Sequence, residues 1–144
     1  MPGATELVTE LETFYKGYID AFNREDIDAF SEAFSYPYAF VTGERGLASC
    51  ATESDHQRFF GKIMSDLKSR GWVRSGIDRV KAWPFADNLA MIVADYKRYK
   101  ADGSILEQGR ACYTVRREGK AWKMVTIAEV KPPFLGPGDL PHAD

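Results

Sequence analysis

From Thr5 to Phe22, apolar side chains recur every three or four positions, at Leu7, Leu11, Phe14, Tyr18 and Phe22, and Val8, Tyr15 and Ile19 widen the stripe. That spacing predicts an amphipathic helix with a broad buried face and Thr5 as its N-cap. Asn23 to Asp26 breaks the pattern, and Asp26 is placed to cap a short second helix carrying Ile27, Phe30 and Phe34. Tyr36 to Val41 reads as a strand, with Pro37 near its start, where a missing N–H does least harm. Thr42 to Gly46 supplies a turn, and Leu47 to Ala51 a short returning strand. A third helix follows: Ser54 and Gln57 have capping-box spacing, Phe59, Phe60, Ile63, Met64 and Leu67 form the stripe, and Gly71 stops it.

Beyond Trp72 the period shortens to that of strands, over 72–85, 89–100, 105–117 and 121–130. Turns are marked by Pro84 with Asp87-Asn88, by Asp102-Gly103 and by Glu118-Gly119. Helices first and strands afterwards predict an α+β domain, residues 1–131, with a mostly antiparallel sheet. Residues 132–144, with four prolines and two glycines, read as a tail pinned by Phe134 and Leu135. Leu89 to Ala94 lacks polar alternation, so both faces of that strand's centre should be covered. Helices can cover one face; a second copy packing sheet on sheet is the expected cover for the other.

Composition narrows the partners. At 144 residues, 44% hydrophobic and 28% charged, the chain can bury a core and is neither disordered nor a coiled coil. No uncharged run is long enough to span a bilayer, and the first residues do not read as a secretory signal. A net charge of −2 gives no ground for nucleic-acid binding. Cys50 and Cys112 are too few for a disulfide framework and suit a reducing cytoplasm. Two histidines and two cysteines at no ligand spacing give no metal site, and no phosphate loop, dinucleotide fingerprint or nucleophile elbow occurs. No cofactor is implied.

Several residues could carry chemistry. Asp95 and Glu129 each follow an apolar strand centre; either is a general base if desolvated, or the point where a strand emerges into solvent. Arg110 alternates with Cys112 and Thr114, and pointing inward it needs an anion: a ligand carboxylate, Asp95 or Glu129. Outward, it is one more cation on a basic strand. Tyr38, Trp83 and Tyr96 suit either a pocket for a flat apolar ligand or plain core. Cys112 would be a nucleophile only beside a base, and His56, at the start of the third helix, is expected in solvent.

The run Phe14-Tyr15 through Tyr18-Ile19-Asp20-Ala21-Phe22-Asn23, then Asp26 to Phe30, with Gly109-Arg110 and Gly119 to Val125, resembles the nuclear transport factor 2-like superfamily. SnoaL-like polyketide cyclases, ketosteroid isomerases and scytalone dehydratases belong to it. The likeness, over roughly residues 5 to 130, implies a cone: a curved sheet wrapped around the helices, with a pocket at the open end. In ketosteroid isomerases, a helix-one tyrosine eight residues before the acid of helix two donates to the substrate oxyanion, and that position here is Tyr18. Their catalytic aspartate falls at Thr42 and their second acid near Ala111, while the histidine positions of cyclase-like relatives are Thr126 and Ala128. A threonine cannot take a proton from carbon at neutral pH, so the acid–base set of those enzymes is absent.

The resemblance therefore implies binding of a small, mostly apolar organic molecule in the cone. Tyr15, Tyr38, Trp83, Tyr96, Arg110, Cys112 and Thr126 are the expected lining. An isomerase, dehydratase or hydrolase would use Tyr18 to polarise oxygen and Asp95 or Glu129 to move the proton. The alternative is a non-enzymatic module with a filled cavity. Inward volume discriminates: about 300 Å³ or more with converging polar groups favours a ligand.

Overall fold

The computed structural model describes residues 3–135. Three helices precede or interrupt a six-stranded sheet: α1 (Ala4–Asn23), α2 (Ile27–Glu32), β1 (Phe34–Thr42), β2 (Gly46–Cys50), α3 (Glu53–Ser69), β3 (Trp72–Ala86), β4 (Leu89–Lys100), β5 (Ile105–Glu118) and β6 (Ala121–Val130). The strand order is β2-β1-β6-β5-β4-β3. β1 and β6 run parallel and every other pair is antiparallel. The molecule is α+β, as the order of periodicities requires.

Local chemistry sets the helix ends, not always where the spacing put them. α1 starts after Gly3 rather than at Thr5, because Glu6 Oε2 accepts from the Gly3 N–H at 2.6 Å. Asp26 caps α2 as expected, its Oδ1 accepting from Ala29 N at 3.2 Å. At α3 the cap is Thr52, not Ser54: Thr52 is extended and its Oγ1 accepts from Asp55 N at 3.1 Å, while Ser54 lies inside the helix. Gly71, at φ +97°, ends α3 in the left-handed region.

The core lies between α1, α2, α3 and one sheet face. On α1 its centre is Leu11, Tyr15 and Tyr18, with Phe14 at the flank. Phe30, Phe34 and Phe60 join them, and from the sheet come Ile92, Tyr113, Val115, Met124 and Ile127. Asn23 ties the end of α1 to β3 by two hydrogen bonds, accepting from Ser75 N (2.8 Å) and donating to Ser75 O (2.9 Å).

Bulges decide which side chains face this core. β1 pairs with β6 at Phe34↔Met124 and again only from Ala39↔Thr126, skipping the stretch around Pro37, which has no N–H to give. A shift between Thr114 and Val115 in the β5–β6 ladder keeps Met124 and Ile127 inward and leaves Thr126 outward. Another in β3 puts Ala82 inward and Trp83 outward, opposite Met91. The expectation that both faces of 89–94 are covered holds in part: Ala90, Ile92 and Ala94 are buried inward and Val93 is covered outward, but Leu89 and Met91 are exposed. Beyond β6, the Phe134 ring covers the Arg110 guanidinium at 4.7 Å, while Leu135 is exposed. Residues 136–144 of the expected tail lie outside the described residues.

Candidate functional site

Alternation along the strands carries a set of polar groups into the core face. On β4, Tyr96 and Arg98 follow the inward positions Ile92 and Ala94; on β6, Glu129 follows Ile127. With Tyr15 and Tyr18 of α1, Tyr113 of β5 and Ser75 of β3 they surround a chamber of about 40 Å³, closed by Ile19, Phe22, Phe40, Phe60 and Ile127. Such a volume admits about two or three water-sized groups. The aromatic side chains thus fill most of the cone, and the chamber falls short of the volume expected for a whole organic ligand.

The chamber's polar atoms are unevenly satisfied. Tyr96 Oη donates to Glu129 Oε1 at 2.5 Å. This reach depends on Gly109: a Cβ there would stand 2.4 Å from Tyr96 Oη and 2.6 Å from Cζ. The Arg98 guanidinium lies over the Tyr96 ring at 4.6 Å and the Phe22 ring at 5.8 Å. Its side chain is 12% exposed, and Nε is 3.5 Å from Glu107 Oε1, a charge contact that makes no hydrogen bond. Arg98 Nε and Nη1 have no hydrogen-bond partner. Nor does Tyr15 Oη, although the Tyr113 phenol adjoins it. Burial pushes the Tyr15 phenol up to about 12, Tyr18 and Tyr96 higher still, and Tyr113 well above its ordinary value, so all four stay protonated donors at neutral pH.

The expected residues divide between the two sheet faces. Tyr15, Tyr18, Tyr96 and Glu129 meet in the chamber. Asp95, Trp83, Arg110, Cys112 and Thr126 project from the opposite face. Asp95 is bound there by Arg110, whose Nε donates at 2.5 Å and Nη2 at 3.0 Å, and Arg79 Nη2 is 3.5 Å away. A carboxylate so engaged on the outer face is not placed to take a proton in the cone. The partner expected for an inward Arg110 therefore exists, on the other side of the sheet. Cys112 pairs with Val93 and Ala128 in the ladders, and burial raises its thiol's pKa. Tyr38 is buried away from the chamber, its Oη 2.6 Å from His56 Nδ1. His56 itself is fully buried, contrary to its expected exposure, because capping by Thr52 turns that face of α3 onto Phe30, Phe34 and Phe60.

Sequence reasoning missed Arg98. The signal was its place two residues beyond Tyr96, on the same strand face. Beside the chamber lies a groove of about 240 Å³ between α1, α2 and α3, with Phe22 and Phe60 common to both walls. Among the described residues no cluster of three or more metal-ligating side chains occurs, and no helix is long and apolar enough to cross a membrane.

Residues 9–132 match the family described as NTF2-like protein (DUF6841). Of solved structures, an NTF2-like protein of unknown function from Pseudomonas putida superposes with a TM-score of 0.73 at 14% identity, covering 93% of each chain. A protein of unknown function with a cystatin-like fold from Nostoc punctiforme gives 0.69 at 12% identity, over 89% of this chain and 92% of that one. A ketosteroid isomerase-like protein from Erwinia carotovora gives 0.62 at 15% identity, over 84% of this chain and 92% of that one. At these identities the likeness is one of fold. No curated protein matches.

Proposed function

The chain belongs to the NTF2-like family DUF6841, and from that premise we propose that it binds a small, mostly apolar organic molecule by a neutral oxygen-bearing head, such as a ketone or amide carbonyl, inserted into the chamber. The supporting observation is the pair of unpartnered Arg98 donors, Nε and Nη1, on a buried side chain of the chamber wall that also holds the Tyr15 phenol. Buried donors without partners are costly, and a carbonyl oxygen would satisfy them. Charge selects the neutral head. Glu107 already faces Arg98, and Glu129 lines the chamber, so a carboxylate ligand would meet a like charge.

An enzymatic reading, isomerisation or dehydration without cofactor, is favoured by Glu129 alone. Among the described residues it is the one carboxylate in the chamber wall, Tyr96 holds one of its oxygens, and the donors that would polarise a carbonyl line the same space. We place the protein in the reducing cytoplasm, where Cys50 and Cys112 remain free thiols, and as a homodimer through the outer sheet face.

Binding is tested by amide NMR titration with acetone and acetamide against acetate. The neutral compounds are expected to shift the amides of Arg98 and Tyr113, and Arg98→Gln to weaken them by about tenfold, the loss of one buried charged donor. Acetate binding as tightly as acetone, or Arg98→Gln binding like the parent, would overturn the reading.

A further inference from the structure

A chamber of about 40 Å³ holds a head group and nothing more, so the rest of a ligand must lie elsewhere. Resting on the proposed carbonyl-binding chamber, we infer that the α1–α2–α3 groove is the subsite for the ligand's apolar body, and that the Phe22 and Phe60 rings form a movable partition between the two. The groove measures about 240 Å³, room for a single ring.

Three observations carry this. First, the two spaces adjoin: Phe22 and Phe60 wall both, each resting on Phe30 (5.4 and 4.9 Å between centroids). Second, the groove is lined chiefly by apolar side chains, Ile27, Phe30 and Met64 among them. Its rim carboxylates are engaged, Glu25 with Lys68 Nζ at 2.8 Å and Asp26 with Ala29 N, which suits an uncharged body rather than a cation. Third, α3 carries a glycine, Gly61, in the groove wall, and a Cβ built there meets nothing within 4 Å. Glycine weakens a helix interior; the proposed groove accounts for it, since a larger side chain at 61 would narrow that space.

The class of ligand is therefore an aryl or cycloalkyl ketone or amide whose carbonyl is separated from the ring by a short linker that passes the partition. Acetone (head alone) and benzylacetone (head, linker and ring) are compared by amide NMR titration against the parent, Gly61→Leu, which fills the groove without entering the core, and Arg98→Gln. Benzylacetone is expected to bind the parent at least about tenfold more tightly than acetone, as burial of a phenyl ring favours, and to shift the amides of Gly61 and Met64. Gly61→Leu should abolish that advantage and leave acetone binding unchanged. Equal affinities for the two ketones, or a Gly61→Leu protein that binds benzylacetone like the parent, would overturn the inference even if Arg98 governs acetone binding. Benzylacetone binding that survives Arg98→Gln and falls with Gly61→Leu would keep the groove and reject the chamber. Groove amides that shift with protein concentration alone would assign the groove to a second copy and overturn it.

Discussion

Gly109 shows how closely one missing atom is tied to the chamber. Tyr96 crosses over it to reach Glu129, and any side chain at 109 would occupy the phenol's place. Gly109→Ala is expected to force Tyr96 aside, break its bond to Glu129 and cost about 1–3 kcal/mol, the range for leaving a buried polar group unmatched. Thermal unfolding reads the loss. Equal stability of Gly109→Ala and the parent would reject the packing account. Arg98 belongs at this scale too: the same guanidinium that lies against two rings leaves two nitrogens without hydrogen bonds.

Among the elements, the β3–β4 hairpin carries the surface left uncovered. Trp83 and Met91 are partners on its outer face, with Phe85 and Leu89 exposed nearby at 61% and 41%. Apolar side chains grouped this way suit the proposed dimer interface. Sedimentation is expected to give a dimer at micromolar concentration, and Met91→Lys a folded monomer; a parent that sediments as a monomer would refute it. The elements themselves were legible in sequence, since a stripe at Leu7, Leu11, Tyr15 and Tyr18 or a period of two after Trp72 reports burial directly. Which strand face a residue takes was not. One bulge turns Trp83 outward and another leaves Thr126 outward, and no single residue type announces either. The cap of α3 was misjudged for a related reason: Thr52 and Ser54 are both good caps, and only the extended backbone at Thr52 decides between them.

For the whole molecule, acid is the condition that should undo it first. His56 is enclosed by Phe30, Phe34, Tyr36, Tyr38 and Phe60, and burial lowers its pKa from 6.5 to about 4. The unfolded chain therefore binds the proton more readily than the folded one. Above pH 6.5 the imidazole is neutral in both states and exacts no penalty. As pH falls from 6.5 towards 4, stability drops, by about 2–3 kcal/mol at pH 4.5 from this group. Urea unfolding at pH 7 and pH 4.5 should show that loss in the parent and a smaller one in His56→Gln, the carboxylates contributing alike to both; equal losses would show that His56 binds its proton equally well in the folded and unfolded chain.

The parallel ladder between β1 and β6 joins the first and the sixth of the described strands. During synthesis, β1 and its hairpin partner β2 have no neighbour to close against until Ala121–Val130 has left the ribosome. Loop closure over that span is expected to place completion of the sheet late in folding. A nascent chain arrested before Ala121 would hold β1 as an open edge, the kind of surface that chaperones must shield from other chains.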